Sequence, residues 1–376
     1  MSAAWVAAEQ LRGALDDARR GLVDRDALVE LVALAAVAGE HLLVIGPPGT
    51  AKSEAVRRVA RSIEASYFEY LLGRFTEPSE IFGPVDLRKL REGVVETETR
   101  GMLPEAEVAF LDEVFLGSTA ILNTLLALLN ERTFRRGHTS MKSPLRLCVG
   151  ASNTLPEGEG LAAFADRFLM RAFVEPVADS QLEELLAGGW SPAAPGRRAT
   201  MGDLDALARA AQEVDLTVVR PRLAQAVRRL RQAGVLLSDR RVVKTQKLVA
   251  AAAALAGRAA ASEADLWPIV YAVPTAAAQA TAREALREEL APSHSALLGA
   301  AAEEASQGPL ARAARLVRSG RELLAAQAAD GASDAWRLRL EGVMREIDAG
   351  FTPERRPADL AELRVEVARV LGGDRG

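Results

Sequence analysis

The sequence has a single cysteine, Cys148, and few aromatic residues, which make up 5 % of its 376 residues. One thiol cannot form an internal disulfide framework, so we expect a protein of a reducing compartment. Neither sign of charge dominates, because the formal net charge is −4. The sequence therefore lacks the global basic field that would attract nucleic acid or an anionic membrane.

Long uninterrupted apolar segments are also missing. The most apolar stretch, residues 27–45, contains Glu30, Glu40 and His41. The alanine run at 248–257 is too short to cross a bilayer. The first residues show no basic segment followed by an apolar core, which is the pattern of a secretory signal. From these absences we expect a soluble, cytoplasmic protein without a membrane span.

The order of predicted elements indicates an α/β fold followed by helices. Short apolar runs at 42–45, 108–111 and 145–149 predict strands, and segments of helical periodicity separate them. Strands that alternate with helices favour a parallel sheet covered on both faces. Beyond about residue 175 only helical patterns follow, with a Gly- and Pro-rich linker at 188–203.

A near-match to the phosphate-binding loop G-x-x-x-x-G-K-[ST] occupies residues 46–54, Gly46-Pro47-Pro48-Gly49-Thr50-Ala51-Lys52-Ser53-Glu54. It lies between a predicted strand and a predicted helix, where backbone N–H groups can cradle phosphates. Ala51 replaces the second glycine, and we expect it to serve with a negative φ at the helix start. Lys52 would then contact the β- and γ-phosphates, and Ser53 would bind Mg²⁺. The alternative is a turn that happens to precede Lys-Ser.

An acidic pair, Asp112 and Glu113, ends the predicted strand at 108–111. Ligands of parallel sheets gather at the carboxyl ends of the strands. Asp112 would hold the Mg²⁺ shell, and Glu113 would orient and polarise an attacking water, which suggests hydrolysis. The alternative interpretation is an acidic pair at the start of a helix, where negative charge is favoured.

Three further positions could contact the γ-phosphate or the water that attacks it. Asn153 ends the predicted strand around 145–149 and would hydrogen-bond the attacking water. Arg167 and Arg171 are four residues apart, which predicts one helix face and an arginine finger for a neighbouring subunit. Arg240 or Arg241 could reach the γ-phosphate from the helical region. A turn asparagine and solvated helix faces are the structural alternatives.

These motifs, in this order, resemble those of AAA+ ATPases, and longer segments resemble the MoxR family, in particular its RavA-type branch. The segments are "FEYLLGRFTEPSEIFGPVDL" (68–87), "GMLPEAEVAFLDEVF" (101–115), "AILNTLLALLNERTFRRG" (120–137) and "ADRFLMR" (165–171). The family's own loop is usually GPPG-x-AK-[ST], so Ala51 is an expected variant. The likeness is nearly continuous from about 40 to 175 and weaker over 238–258.

The resemblance implies an AAA+ αβα nucleotide-binding domain over 1–175, in which residues 73–105 would include a helix-two insert. An all-α lid domain over 176–290 and a helical C-terminal extension over 291–376 would follow. Within the insert, residues 90–106 fit a projecting hairpin, and a second hairpin at 130–137 would precede the strand of Asn153. RavA-type proteins usually carry a β-rich C-terminal module, and this sequence departs from them there.

The resemblance also implies roles for single residues. These are phosphate and metal binding by Lys52 and Ser53, metal ligation by Asp112, a catalytic base at Glu113, a first sensor at Asn153, an arginine finger at Arg167 and a second sensor at Arg240, with Arg241 as its alternative. ATP and Mg²⁺ are the implied cofactors. The implied assembly is a hexameric ring in which ATP lies between subunits.

The leading hypothesis is an ATP-driven chaperone that remodels a protein client during complex maturation or metal-cofactor insertion. A separate partner with a von Willebrand A domain is expected from the resemblance. One alternative is a DNA-linked motor, because residues 220–232 are locally basic. Another is a nucleotide-gated scaffold with little turnover. Nucleic acid is the less favoured partner.

Overall fold

The computed structural model of the protein describes residues 3–190, 196, 198–330, 334–351 and 356–372. Five parallel strands form a central sheet, and two antiparallel strands form a separate hairpin. The strands are β1 (Leu42–Ile45), β2 (Tyr67–Leu71), β3 (Val108–Asp112), β4 (Thr133–Arg136), β5 (Thr139–Lys142), β6 (Leu147–Ser152) and β7 (Met170–Phe173). The order across the sheet is β2-β3-β6-β1-β7, and β4 pairs with β5.

The sheet separates two hydrophobic cores because side chains alternate along each strand. On β1, Leu42 and Val44 belong to one core, and Leu43 and Ile45 belong to the other. All four β1 residues are buried, as expected for a central strand of a parallel sheet. The predicted α/β class with helices on both faces is confirmed.

Seven α-helices accompany the sheet over the described residues 3–173. They are α1 (Ala3–Arg19), α2 (Asp26–Ala38), α3 (Lys52–Ser62), α4 (Pro78–Phe82), α5 (Leu87–Arg91), α6 (Thr119–Glu131) and α7 (Glu159–Ala165). The first three pack on the core of Leu42, and α4, α6 and α7 contribute to the core of Leu43. The predicted strand at 42–45 has the observed bounds, and β6 begins two residues later than predicted.

The sequence pattern did not predict β2 and β7. Both lie at the edges of the sheet. The side chains of β2 are only partly buried, and β7 has four residues, one of them Arg171. Edge strands lack the continuous apolar run that marked β1, so periodicity alone did not reveal them.

The helices after β7 begin with α8 (Leu182–Trp190), α9 (Met201–Glu213), α10 (Val219–Gln232) and α11 (Asp239–Leu255). They continue with α12 (Ala276–Ala285), α13 (Arg287–Leu290) and α14 (Gly299–Gln307). Helices α9 to α14 share the core of α1 and α2. The alanine run of α11 is buried there, since small side chains let helices approach closely. Among the described residues, no helix combines the length and apolarity that a membrane span requires.

The last three helices, α15 (Pro309–Asp330), α16 (Asp334–Gly350) and α17 (Ala358–Gly372), form a cluster of their own. We call this cluster the C-terminal unit. Its core includes Leu316, Leu340 and Leu360. Helix α14 therefore packs with the body of the protein, although the predicted extension begins before it. The domain limits 1–175, 176–290 and 291–376 stay a prediction.

The insert differs from the predicted hairpin at 90–106. Antiparallel contacts instead join residues 84–86 to 96–98, and α5 forms the tip between them. The later part returns to the core, where Leu103 is buried. The insert also packs on the β4–β5 hairpin, because His138 N–H donates to the Val95 carbonyl at 2.8 Å.

The hairpin predicted at 130–137 is observed at 133–142 as β4 and β5, because α6 continues to Glu131. The arginines near it do not form one exposed set. The Arg132 guanidinium donates to the Gly39 carbonyl at 2.9 Å, and that of Arg136 donates to the Gly83 carbonyl at 3.1 Å. Arg135 is the exposed member. The first two arginines therefore hold the hairpin to its surroundings.

Candidate nucleotide site

The loop at 46–51 leaves β1 at the carboxyl edge of the sheet and leads into α3. Gly46 N–H donates to the Ser152 carbonyl at 3.1 Å, so the loop starts as a continuation of the sheet. A Cβ at Gly46 would lie 2.2 Å from the Val174 carbonyl oxygen. Only glycine fits this close approach, which keeps the start of the loop against the segment after β7. Pro47, Pro48 and Gly49 are exposed in the loop.

Ala51 adopts φ +58° and ψ +27°, the left-handed conformation. The expectation of a negative φ at this residue was wrong. The loop must reverse direction before α3 begins. The backbone makes this reversal at Ala51, the position at which the phosphate-loop consensus has its second glycine. An alanine there is strained, because its Cβ approaches the backbone too closely.

Lys52 begins α3 and is buried, with 6 % of its surface exposed. Its Nζ donates to the carbonyl oxygens of Gly46 at 2.7 Å and Pro47 at 2.9 Å. Burial lowers the pKa of Lys52, and the charges of Asp112 and Glu113 partly offset that effect. The Lys52 ammonium is thus held inside the loop and interacts electrostatically with the Asp112 and Glu113 carboxylates.

Asp112, Glu113 and Asn153 meet at the ends of adjacent strands β3 and β6. The Asn153 Nδ2 donates to Glu113 Oε1 at 2.6 Å. The Glu113 N–H donates to Asp112 Oδ1 at 3.0 Å. Glu113 has φ +48° and precedes a short 3-10 turn, so its carboxylate is presented by a strained backbone. Strain of this kind persists where the surrounding structure holds the residue in place.

The donor set at this edge fits Mg²⁺. The Ser53 hydroxyl lies in the first turn of α3, and the Asp112 carboxylate ends β3. Magnesium usually takes one or two protein ligands and completes its shell with phosphate oxygens and water. In the described part of the chain no cluster of three or more His, Cys, Asp or Glu side chains could hold a metal alone. A metal held jointly with a nucleotide is the arrangement that these residues suit.

Thr50 and Glu54, the remaining two predicted loop contacts, form hydrogen bonds with neighbouring residues. The Thr50 hydroxyl donates to the Pro47 carbonyl at 2.9 Å and stabilises the loop. The Glu54 carboxylate accepts hydrogen bonds at 2.7 Å from both Arg57 and Arg58 of its own helix. Because Glu54 adds negative charge and is engaged on α3, we do not keep it among the proposed phosphate contacts.

Sequence reasoning missed Arg25, which is 4 % exposed. Its Nε donates to the Thr50 carbonyl at 2.8 Å, and its Nη2 donates to the Glu175 carbonyl at 2.7 Å. Burial lowers the pKa of this guanidinium. Arg25 therefore ties the phosphate loop to the segment after β7. Both partners are backbone carbonyls far along the chain, so the sequence carried no signal for this role.

The two candidate finger arginines do not share a helix face, which corrects the prediction. Helix α7 ends at Ala165, so Arg167 lies in the turn and Arg171 lies in β7. Arg171 is 3 % exposed, and burial lowers its pKa to about 9. Arg167 is half-buried, at the amino edge of the sheet. That edge is about 13 Å from the phosphate loop, the length of a four-residue strand.

The two candidate sensor arginines of α11 have different surroundings. Arg241 is buried, and its guanidinium donates to Asp166 Oδ1 at 2.6 Å and to the Leu169 and Ala272 carbonyls at 2.8 and 2.6 Å. Arg240 is half-buried and donates to Asn130 Oδ1 at 2.8 Å. Arg241 thus anchors α11 to the body of the protein.

Arg240 also lies at the amino edge of the sheet. Its partner Asn130 is near the end of α6, next to Arg132, whose guanidinium bonds Gly39 just before β1. Buried Glu40 receives Lys244 and Lys247 of α11 at 2.5 and 2.9 Å at the same edge. Neither Arg167 nor Arg240 is near the phosphate loop of its own chain.

A parallel sheet with this strand order and a lysine-bearing loop after β1 defines a P-loop nucleotide-binding protein. Comparison with known families refines this class. A model described as the MoxR domain in the MoxR-vWA-beta-propeller ternary systems matches residues 9–209. A model of an AAA lid domain matches residues 214–283. The first match covers more than half of the chain, so the chain belongs to the MoxR family of AAA+ ATPases.

Individual proteins are similar to parts of the chain. Two uncharacterized proteins of Methanocaldococcus jannaschii are 37 % identical over 245 residues, which is 65 % of this chain and 66 % and 64 % of their own lengths. Chaperone MoxR1 of Mycobacterium tuberculosis is 28 % identical over 199 residues, 52 % of each protein. The chain thus matches slightly under two thirds of the first two relatives.

A solved structure shares the fold. It is described as "a putative ATPase from Cytophaga hutchinsonii" and superposes with a TM-score of 0.63 at 15 % identity. The superposition covers 78 % of this chain and 97 % of the other. At this level of identity the similarity shows the AAA+ fold alone.

Proposed function

We propose that this protein binds ATP with Mg²⁺ at the loop of residues 46–53 and hydrolyses it. One observation carries the proposal. The buried Lys52 ammonium, the Asp112–Glu113 carboxylates and the Asn153 amide converge at the carboxyl edge of the sheet, although they are distant in sequence. A P-loop ATPase needs this combination of groups around its γ-phosphate.

Each of these groups has a role in the proposed reaction. Lys52 exchanges its two carbonyl partners for phosphate oxygens and neutralises their charge. Ser53 and Asp112 would hold Mg²⁺, which when bound would offset the charge of the phosphates. Asn153 fixes one oxygen of Glu113, so that the other oxygen can accept a hydrogen bond from the attacking water. Glu113 thereby orients and polarises that water.

The positions of two arginines support an assembly of several subunits. Arg167 and Arg240 lie at the amino edge, so they would serve the nucleotide of a neighbouring subunit rather than their own. A closed ring, which we propose to be a hexamer, brings that edge against the phosphate loop of the next chain. In this arrangement Arg167 acts as the finger and Arg240 as the second sensor, both in trans. Hydrolysis then depends on assembly.

The biological role that we propose is remodelling of a protein client by a MoxR-type ATPase. The matched family model names systems that combine MoxR with vWA and beta-propeller components, which supports a separate von Willebrand A domain partner. The similarity to Chaperone MoxR1 supports the client-remodelling role. Action in complex maturation or metal-cofactor insertion, cytoplasmic localisation and the RavA-type affiliation stay predictions.

Three single substitutions test the ATPase proposal. Glu113→Gln should abolish steady-state phosphate release and leave ATP binding intact, because the amide cannot polarise water. Lys52→Ala should weaken ATP binding itself. The conservative Asn153→Asp, which places a second carboxylate beside Glu113, should reduce turnover with retained binding. Equal turnover of wild type and Glu113→Gln would instead support a nucleotide-gated scaffold.

Complementation tests the trans arrangement. Lys52→Ala and Arg167→Ala subunits, each inactive alone, should regain part of the activity when mixed, because some interfaces then pair an intact loop with an intact arginine. Arg171→Ala is a poor control because Arg171 is buried; Arg135→Ala is a suitable exposed one. No recovery in mixed rings, with assembly verified, would refute action in trans.

The alternative of a DNA-linked motor is less favoured by the charges on α10. Arg222 pairs with Glu263 at 2.8 Å, and Arg229 pairs with Glu289 at 2.8 Å. Such pairs reduce the positive charge that a phosphate track needs. A DNA-stimulated ATPase with a steep dependence on salt would reverse this preference.

A further inference from the structure

Residues 166–169, which we call the finger turn, carry Arg167 between α7 and β7. Two bonds of the turn are local: the Arg167 N–H donates to the Phe164 carbonyl at 3.0 Å, and the Phe168 N–H donates to the Ala165 carbonyl at 3.2 Å. The carbonyl groups of Phe168 and Leu169 lie outside both α7 and β7. Because these residues are buried, the two carbonyls need hydrogen-bond partners from elsewhere in the fold.

Arg241 of α11 is the partner of both carbonyls. Its Nη2 donates to the Phe168 carbonyl at 2.9 Å, and its Nη1 donates to the Leu169 carbonyl at 2.8 Å. Its Nε donates to Asp166 Oδ1 at 2.6 Å, which is a charge-assisted hydrogen bond. A single guanidinium group therefore binds the residue before Arg167 and the two residues after it.

A fourth bond joins the same guanidinium group to the helical region. The Arg241 Nη1 also donates to the Ala272 carbonyl at 2.6 Å. Both residues belong to the lid segment, residues 214–283, whereas Arg167 belongs to the segment that matches the MoxR domain. Arg241 is buried, so water does not compete for these bonds. The finger turn is therefore held directly by a side chain of the lid segment.

Phe168 fixes the finger turn from the side of the sheet. Its ring packs in the hydrophobic core, with its centre 5.7 Å from that of the Phe164 ring. A Cβ on Gly150 of β6 would lie 3.0 Å from the Phe168 ring, so the ring fits closely against the sheet. Arg167 itself is held less tightly, because its buried Nε has no hydrogen-bond partner among the described residues. The orientation of Arg167 thus depends on the turn that carries it.

Asp166 interacts with a second buried guanidinium group, that of Arg171. Burial lowers the pKa of Arg171, the charge of Arg241 lowers it further, and the charge of Asp166 partly offsets both effects. Asp166 therefore compensates two buried cations that lie near each other. Removing a partner from a buried charge is costly, so the pairing of Asp166 with Arg241 is a strong constraint on the finger turn.

Building on the proposed ATPase function, in which Arg167 is the finger, we propose that Arg241 is a positioning residue for Arg167. In this role Arg241 contacts no nucleotide. It orients the finger turn so that Arg167 reaches the γ-phosphate bound by the neighbouring subunit. Because Arg241 belongs to α11, a displacement of the lid segment breaks these bonds and changes the orientation of the finger. The position of α11 in one subunit thus affects turnover in the next.

Arg241→Lys tests this role in the full chain. Lysine keeps the positive charge but donates from one nitrogen, so it cannot bind the Asp166 carboxylate and both carbonyls of the turn together. ATPase turnover should fall about a hundredfold, the loss expected when a catalytic group is displaced by about 1 Å. ATP affinity should stay unchanged, because the phosphate loop of the variant is intact. Lys247→Ala is the matched control on α11, since Lys247 pairs with Glu40 instead of the finger turn, and its turnover should be that of wild type.

Mixed assemblies distinguish a positioning role from a general loss of structure. Arg241→Lys subunits should regain activity with Lys52→Ala subunits, which supply an intact finger. They should regain none with Arg167→Ala subunits, because no interface then combines an intact loop with a well-placed finger. A variant that had damaged its own phosphate loop would show the reverse pattern. That reverse pattern overturns the proposal, as does wild-type turnover of Arg241→Lys alone.

Asp166→Ala breaks the same link from the finger turn, and it replaces Arg241→Lys if that variant fails to fold. Since Asp166 is not on α11, this variant also separates an effect on Arg167 from one on the adjacent Arg240. It should lose turnover and regain it with Lys52→Ala subunits, and wild-type turnover of folded Asp166→Ala overturns the proposal. Lys52→Ala and Arg167→Ala subunits that fail to complement each other refute instead the trans arrangement on which this inference rests.

Discussion

Replacing Ala51 by glycine should stabilise the protein, although Ala→Gly changes usually destabilise. Ala51 has φ +58°, and a non-glycine residue in this conformation costs about 1–2 kcal/mol. Glycine removes that strain but adds about 0.4–1 kcal/mol of chain entropy to the unfolded state. The net expectation is a gain of about 0.5–1 kcal/mol in the free energy of unfolding.

Ala224→Gly is the matched control for this substitution. Ala224 is exposed in the interior of α10, where glycine costs about 1 kcal/mol relative to alanine. The two variants share the same chemical change and differ in backbone conformation, so their stabilities should differ by roughly 1.5–2 kcal/mol. Urea denaturation followed by tryptophan fluorescence would measure both, since Trp267 is fully buried.

The functional readout of Ala51→Gly is nucleotide affinity. The substitution leaves Lys52 and its carbonyl partners in place, so binding of ATP should persist. If Ala51→Gly lowers stability as much as Ala224→Gly does, the left-handed strain at the loop is refuted. If stability rises and ATP binding disappears, the loop conformation matters for function in a way that strain alone does not explain.

Four further substitutions test other parts of the structure. Gly46→Ala should abolish ATP binding, since its Cβ would lie 2.2 Å from the Val174 carbonyl oxygen, and calorimetry would show the loss. Burial raises the pKa of Glu30 from 4.5 to about 7. Between these two pH values the folded protein keeps a proton on Glu30 that the unfolded chain has released. The contribution of Glu30 to the free energy of unfolding therefore falls as pH rises from 4.5 to about 7. Relative to wild type, Glu30→Gln should therefore gain about 2 kcal/mol between about pH 5 and pH 8 in denaturation experiments, and a constant difference would contradict this. Arg241→Ala should cost about 3–5 kcal/mol of stability because it strands the buried groups that it binds. Arg240→Ala should change the free energy of unfolding by less than about 0.5 kcal/mol but lower ATPase turnover. If Arg240→Ala destabilised the protein as much as Arg241→Ala does, the separate roles of the two arginines would be contradicted.

The parts of the fold that sequence patterns predicted are those with strong local signals. The buried strand β1 is a continuous apolar run followed by glycine and proline, and the helices of the second half have long periodic patterns. The missed strand β7 contains Arg171, whose charge suggested a surface position. Its burial depends on a carbonyl at the end of α7, which no local pattern encodes.

In the candidate site, too, residues in a local motif could be predicted, and residues with distant partners could not. Lys52 and Ser53 could be predicted as phosphate and metal contacts because the chemistry of a phosphate loop requires a short contiguous motif. Arg25 was not, because its partners are the carbonyls of residues 25 and 150 positions away. The choice between Arg240 and Arg241 also needed coordinates, since adjacent helical residues point in different directions.

By itself the sequence determined the phosphate-loop motif, the α/β class and the family resemblance, because each rests on the order of neighbouring residues along the chain. Only the tertiary structure decided that Ala51 is left-handed, that Arg241 is an anchor, and that Arg25 ties the phosphate loop to the segment after β7. Those features arise from contacts between residues far apart in sequence. Their energies depend on burial and distance, which no linear pattern contains.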